Sequence, residues 1–402
     1  MSHRNWILGM TCGLLFVCVQ ISNVQGQGQT KKEGDLPDGY KALNHPDPQV
    51  RYNAVSLLGK LGKSAKFAMP KLREMLKEDP STAVKIKVAE TLWKVDKTPA
   101  KELLPILILA SRHKESSIRA SAIQVIADLG SQARPAVPTI ESALKDKDFN
   151  VRFQAIRAAG NIGPGAKSTI PELFNLLRKD DTGFLEATIM VSLSQIGSRA
   201  VPPLMKGLKD KDARIRRSSA YALKLLGGKA YEAVPALQKS LRDEEVLVRD
   251  FSAQALGNIG GEARPALADL RSAFTDKDGG VRVQSALAVW KIAKDESVVA
   301  LITKELSSNE KDGFQISAAR ALAQIGKKAS SAIPALVMCL QDRDSEMRES
   351  AALALGEIGH PAAIASPHLE KLLKDEKLSV AIAAASSIWK IDRKVGPKAK
   401  ET

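Results

Sequence analysis

A motif that returns about every 33 residues constrains this chain more than any other feature. The segments SQARPAVPTIESALKDKDFNVRFQAIRAAGNIG and GKAYEAVPALQKSLRDEEVLVRDFSAQALGNIG lie side by side without a gap. Taking as anchor the apolar residue that usually precedes an Arg, the register runs Val50, Val84, Ile118, Val151, Leu185, Ile215, Val248, Val281, Phe314, Met347, Val380. That predicts about eleven similar units over residues 36–394. Units this short bury an apolar stripe only against one another, so 402 residues are read as one long array and not as two or three globular domains.

Four signals predict two helices per unit. A proline stands thirteen or fourteen residues ahead of the anchor (Pro37, Pro70, Pro105, Pro138, Pro171, Pro202, Pro235, Pro334, Pro367), where a first helical turn tolerates its missing N–H. Leu pairs such as Leu237 and Leu241, or Leu336 and Leu340, follow with the spacing of a first helix. Asp148, Asp212, Asp278 and Asp344 sit three before the anchor, where a carboxylate caps a second helix. Gly62, Gly130, Gly163, Gly197, Gly227, Gly260, Gly326 and Gly359 sit twelve after it, where a left-handed C-terminus calls for glycine.

Within the second helix, residues four, five, eight and eleven after the anchor are apolar or small, as in Ala155, Ile156, Ala159 and Ile162, and share one face. Aromatic residues make up only 4% of the chain, which favours stacked helices over β-sandwiches. This run of Pro, Leu pairs, Asp-x-Asp-x-x-Val-Arg, Ala-rich helix and Ile-Gly resembles the short HEAT repeats of the phycobilin lyase type. The resemblance covers nearly the whole array and implies an all-α, right-handed α-solenoid whose second helices line a concave face. It implies no single activity, because that superfamily includes lyases, a hydroxylase and many scaffolds.

The Arg after the anchor recurs as Arg51, Arg119, Arg152, Arg216, Arg249, Arg282 and Arg348. We read it as a structural ladder in which each guanidinium pairs with an Asp one turn earlier (Asp148 with Arg152, Asp278 with Arg282) or with the next unit. The alternative is an anion-binding stripe. Lys85, Glu186, Gln315 and Ala381 break the pattern and mark irregular stacking.

Nine after the anchor stands Gly59, Gly160, Gly257 or Gly356, but Trp93, Trp290 and Trp389 in three units. Those three also lack the terminal Gly, carrying Asp96, Ala293 and Asp392. The Trp is expected to cover a differently shaped junction; the alternative is a binding anchor on the concave face. Candidate groove residues are Tyr52, Lys60, Trp93, Lys94, Phe153, Arg157, Tyr221, Trp290, Lys291, Arg320, Trp389 and Lys390.

Residues 1–26 read as a secretory signal peptide: His3 and Arg4 precede an apolar run from Trp6 to Val19, too short to span a bilayer, and Val24 and Gly26 suit a cleavage site before Gln27. A basic linker over 27–35 and a basic tail over 395–402 flank the array. The expected destination is periplasmic or extracellular, and the processed chain keeps Cys339 alone, so no internal disulfide is expected. Net charge is +15, and +14 after Arg4 leaves, which favours a protein partner with acidic character, an anionic polymer or a membrane surface. Export and the scarcity of aromatics disfavour nucleic acid.

Catalytic chemistry finds little to use. None of His45, His113, His360 and His368 is followed by Glu, so the His-Glu pairs of a di-iron hydroxylase are missing, and no metal or other cofactor is expected. GGKAY after Leu226 is a helix stop and not a phosphate loop. The expected function is therefore an exported, non-catalytic scaffold or binding protein; the alternative is a lyase-like or hydroxylase-like enzyme or enzyme subunit.

Overall fold

The computed structural model describes residues 38–180, 182–308 and 314–392. Pro37, the expected signal peptide 1–26, the linker 27–35 and the tail 395–402 lie outside the described residues. Those described form an all-α solenoid with no strand. The eleven second helices are Pro48–Leu61, Thr82–Asp96, Ser116–Asp128, Phe149–Ile162, Glu186–Ile196, Ala213–Leu226, Val246–Ile259, Gly279–Ala293, Phe314–Ile325, Ser345–Ile358 and Leu378–Asp392. They define units 1 to 11, in phase with the anchors read from the sequence. Each packs on the second helix of the next unit, and its own first helix lies against it.

Local chemistry places most boundaries. Asp47, Asp148, Asp212, Asp278 and Asp344 are N-caps whose carboxylates accept backbone N–H groups of the first turn. Where Glu replaces Asp, at Glu115 and Glu245, the longer side chain makes no such bond. Seven first helices begin with a proline in their first two positions, from Pro70 to Pro367. Pro105 departs from that expectation: it lies inside Ala100–Ala110, which starts behind Pro99. The carbonyl this frees belongs to Lys101, an exposed residue.

All eight terminal glycines take a positive φ, but Gly62, Gly163, Gly197, Gly227, Gly260 and Gly359 do not take the left-handed helical conformation the sequence predicts. Gly163, for example, has φ 72° and ψ −138°, a region closed to side chains with a Cβ. The chain then enters a 3₁₀ segment, as in Gly62–Ala68 or Gly227–Ala233, whose alanines (Ala65, Ala68, Ala230, Ala233) are fully buried. True left-handed caps occur at Lys97 (φ 52°, ψ 36°) and Lys294 (φ 55°, ψ 33°). These end two of the tryptophan-bearing helices, and no 3₁₀ segment follows either of them.

The apolar positions behave as read: Ala155, Ile156 and Ala159 are fully buried, and Ile162 nearly so. One continuous core runs the length of the array. Leu185 is the exception among the anchors. It stands just outside its helix as the N-cap, after a turn in which Asp180 accepts the N–H groups of Thr182, Gly183 and Leu185.

Candidate binding groove

The arginine ladder is a joint between units. Arg51, Arg119, Arg216, Arg249 and Arg348 each fork onto an aspartate of the following turn: Asp79, Asp146, Asp243, Asp276 and Asp375, at 2.7–3.0 Å. The same arginine donates through Nη1 to two carbonyls of its own turn, as Arg249 does to Asp243 and Glu244. The aspartate in turn accepts the N–H two residues on, as Asp276 does from Asp278, which caps the next helix. Each side chain therefore ties a helix start to its neighbour.

The expected pairing one turn back does not form at the two places named for it. Arg152 donates to the carbonyls of Asp146 and Lys147, because Asp148 is spent on its own cap and Asp180 on the irregular turn. Arg282 forks onto Glu305 of unit 9 at 2.7 Å. Where Glu186 replaces the arginine, the polarity inverts: this buried carboxylate accepts from Arg217 and Ser218 of unit 6. Lys85 reaches the Lys77 carbonyl and Gln315 that of Ser308. With its arginines buried and committed, the ladder is not an open anion stripe.

Two depressions open on the second helices. The larger, about 350 Å³, crosses units 6 to 9 and is lined by Lys224, Gln254, Gln284, Leu287, Lys291 and Arg320 among others. The smaller, about 130 Å³, crosses units 1 to 3 and includes Tyr52, Ile86, Lys87, Glu90 and Gln124.

The tryptophans explain their positions. A Cβ on Gly257 would stand 3.0 Å from Ala288 Cα, and one on Gly356 2.9 Å from Ser387 Cα, so glycine there admits the next helix closely. Trp93 and Trp290 occupy the same position in units 2 and 8. Each depression includes the junction that follows one of these tryptophans. Trp290 is 8% exposed and Trp93 half-buried, with Lys294 and Lys97 lying over their rings at 5.2 and 4.7 Å. Trp290 therefore offers a partner almost no surface. Trp389, in the last unit, is 55% exposed.

The other candidates divide by what they already touch. Lys87 lies over the Tyr52 ring at 5.0 Å, Phe153 stacks on Phe149, and Tyr221 meets Phe251 edge-on at 5.0 Å. Lys94 pairs with Glu90, Lys390 with Glu357 and Arg320 with Glu346, while Arg157 donates to Gln154 and Lys60 is exposed. Only Lys291 and Arg320 among the predicted groove residues meet in the larger depression, and Tyr52 lines the smaller. The sequence reading missed Lys224, Gln254 and Gln284, although all three occupy groove-facing positions.

Charge sets the larger depression apart. Burial lowers the pKa of Lys224, and that of Lys291, which Lys224 and Lys294 lower further. Burial also pushes Asp250 up to about 6, against the Gln254 hydrogen bond and the charge of Lys224. Among the described residues no three of His, Cys, Asp and Glu gather as a metal cage, and no helix is long and apolar enough to cross a membrane.

A family model for HEAT repeats matches residues 36–126, 103–194, 170–249, 201–291 and 299–389. The chain belongs to the HEAT-repeat family. No curated protein matches it. Among solved structures, importin beta in an ammonium sulfate condition is 13% identical with a TM-score of 0.58, over 88% of this chain and 57% of its own. Kap121p bound to Nup53p is 14% identical with a TM-score of 0.57, over 88% of this chain and 45% of its own. At such identity the likeness shows the α-solenoid fold, and the HEAT array here spans about half the length of either.

Proposed function

We propose that this chain is an exported, non-catalytic HEAT-repeat protein that engages a protein partner along its second helices. The observation that carries the reading is the placement of the two depressions. Both open on the second-helix face, and each is assembled from three or four units. A small-molecule site is mostly apolar and encloses its ligand. These are polar and shared among units, which suits a long partner whose affinity is spread over many contacts. The Kap121p structure, in which a solenoid of this fold is bound to Nup53p, supports a protein as the partner.

A photoreactive residue at Gln284, in the larger depression, is expected to crosslink a discrete protein in intact cells. The same group at exposed Lys239 on a first helix is expected not to. Equal capture from both positions, or none from Gln284, overturns the reading. Export is tested on the same material, where mass spectrometry is expected to find a processed N-terminus at or near Gln27.

A further inference from the structure

We propose that the depression over units 6 to 9 is a subsite for an acidic, extended peptide segment, with a carboxylate of that segment held between Lys224, Lys291 and Arg320. This deepens the reading above and rests on it.

The lysines here are held differently from three others on the second helices. Lys87, Lys94 and Lys390 each sit on a glutamate. Lys291 instead donates to the neutral Asn258 Oδ1 at 3.1 Å, and Lys224 lies over the rings of Tyr221 and Phe251 at 4.9 and 5.2 Å. Both ammonium groups are half-buried, and Lys294 adds a further positive charge near Lys291. Asp250 is the acid that bears on Lys224, and its own burial, together with the Gln254 hydrogen bond, turns it to the wall. Arg320 completes the rim through an exposed pair with Glu346, the kind of contact an incoming carboxylate displaces at small cost. Two half-buried lysines, neither in a salt bridge, form a preorganised place for an anion, stronger there than on an open surface.

The rest of the lining selects the carrier of that anion. Gln254, Gln284 and Gln324 bring carboxamides, which both donate and accept, as the backbone of an extended peptide requires. A phosphodiester backbone only accepts, and the rings nearest the site are occupied edge-on and by Lys224, leaving no free face for a base. Second helices about 10 Å apart give four units a span of about 30 Å, which accommodates about nine extended residues.

The test uses fluorescence anisotropy with a labelled ten-residue Glu-rich peptide, its Lys-rich counterpart and a ten-nucleotide oligothymidine. The Glu peptide is expected to bind and the Lys peptide not. Lys224→Glu with Lys291→Glu is expected to weaken binding at least tenfold, whereas Lys239→Glu, on a first helix, changes it less than twofold. Gln284→Trp, which fills the depression and leaves the charges in place, is expected to weaken it as well and guards against a folding defect. Equal affinity in the double variant, or tighter binding of the oligonucleotide through the same lysines, overturns the proposal. If the protein captured from Gln284 still binds the Lys224→Glu, Lys291→Glu chain, this subsite fails while the wider reading stands. If Gln284 captures nothing, the wider reading fails first.

Discussion

The guanidinium of Arg249 forks onto the carboxylate of Asp276, Nε to Oδ2 at 2.8 Å and Nη2 to Oδ1 at 2.9 Å, across the boundary between units 7 and 8. The two side chains are 5% and 11% exposed. Because Asp276 also fixes the turn that caps the next helix, removing its partner leaves a buried charge and loosens a helix start at once. Arg249→Ala is expected to destabilise the array by about 3 kcal/mol in chemical denaturation followed by circular dichroism. A loss near zero would show that water replaces the guanidinium and that the ladder does not hold the units together.

Close approach at the glycine junctions gives a second prediction. A methyl group on Gly257 would stand 3.0 Å from the backbone of Ala288, and a helix backbone yields little. Gly257→Ala is expected to cost about 1–3 kcal/mol even though alanine favours helix. A stabilised Gly257→Ala protein would show that the helix of unit 8 gives way to the added methyl group.

Backbone conformation gives a third. Gly163 has φ 72° and ψ −138°, so Gly163→Ala strains the joint between a second helix and its 3₁₀ segment. A loss of about 1–3 kcal/mol is expected in the same denaturation experiment. Exposed Gly261, which has no positive φ and open space around its Cα, is expected to accept alanine with almost no change.

Two titrations run in opposite directions. Arg119 holds the Asp146 carboxyl below its usual value, and Arg348 does the same for Asp375. Folded pKa values below the unfolded one mean stability that is present above about pH 4 and lost as pH falls through the folded values. The thermal midpoint is expected to drop steeply below pH 4, and to drop less in a chain carrying Arg119→Met with Asp146→Leu.

Asp250 behaves in the other sense. Burial raises it to about 6, above its unfolded value, so its contribution is fully present below about pH 4 and is lost as pH rises through 6. Asp250→Asn is expected to raise the thermal midpoint at pH 7.5 and to leave it unchanged at pH 3.5. An equal shift at both values would assign the effect to packing and not to charge.

Much of the fold was legible because its signals are local. Asp148 caps within three residues, Pro138 starts a helix by its own missing N–H, and Gly163 ends one by lacking a Cβ. The 3₁₀ segments were not legible, since Ala65 and Ala68 in GKSAKFA carry no turn chemistry and become informative only once both are seen buried. Pro105 misled because the same residue serves a first turn or an interior, depending on whether water reaches the freed carbonyl. Of the groove, the second-helix face was legible from periodicity, and Lys291 and Arg320 with it. Lys224 was passed over because its unit places a lysine where the others carry a small residue or Trp.

The sequence by itself determined the period, the two helices of each unit and the face that each turns to the core, because capping, φ restriction and 3.6-residue spacing act over one or two turns. Only the tertiary structure decided that Arg249 reaches forward to Asp276, where Arg152 keeps to the carbonyls of its own turn. It alone placed Lys224, 67 residues before Lys291, in the same depression. Both outcomes depend on how far one helix stands from the next, and that distance is the sum of many side-chain volumes, kept short where a glycine such as Gly257 meets the neighbouring backbone.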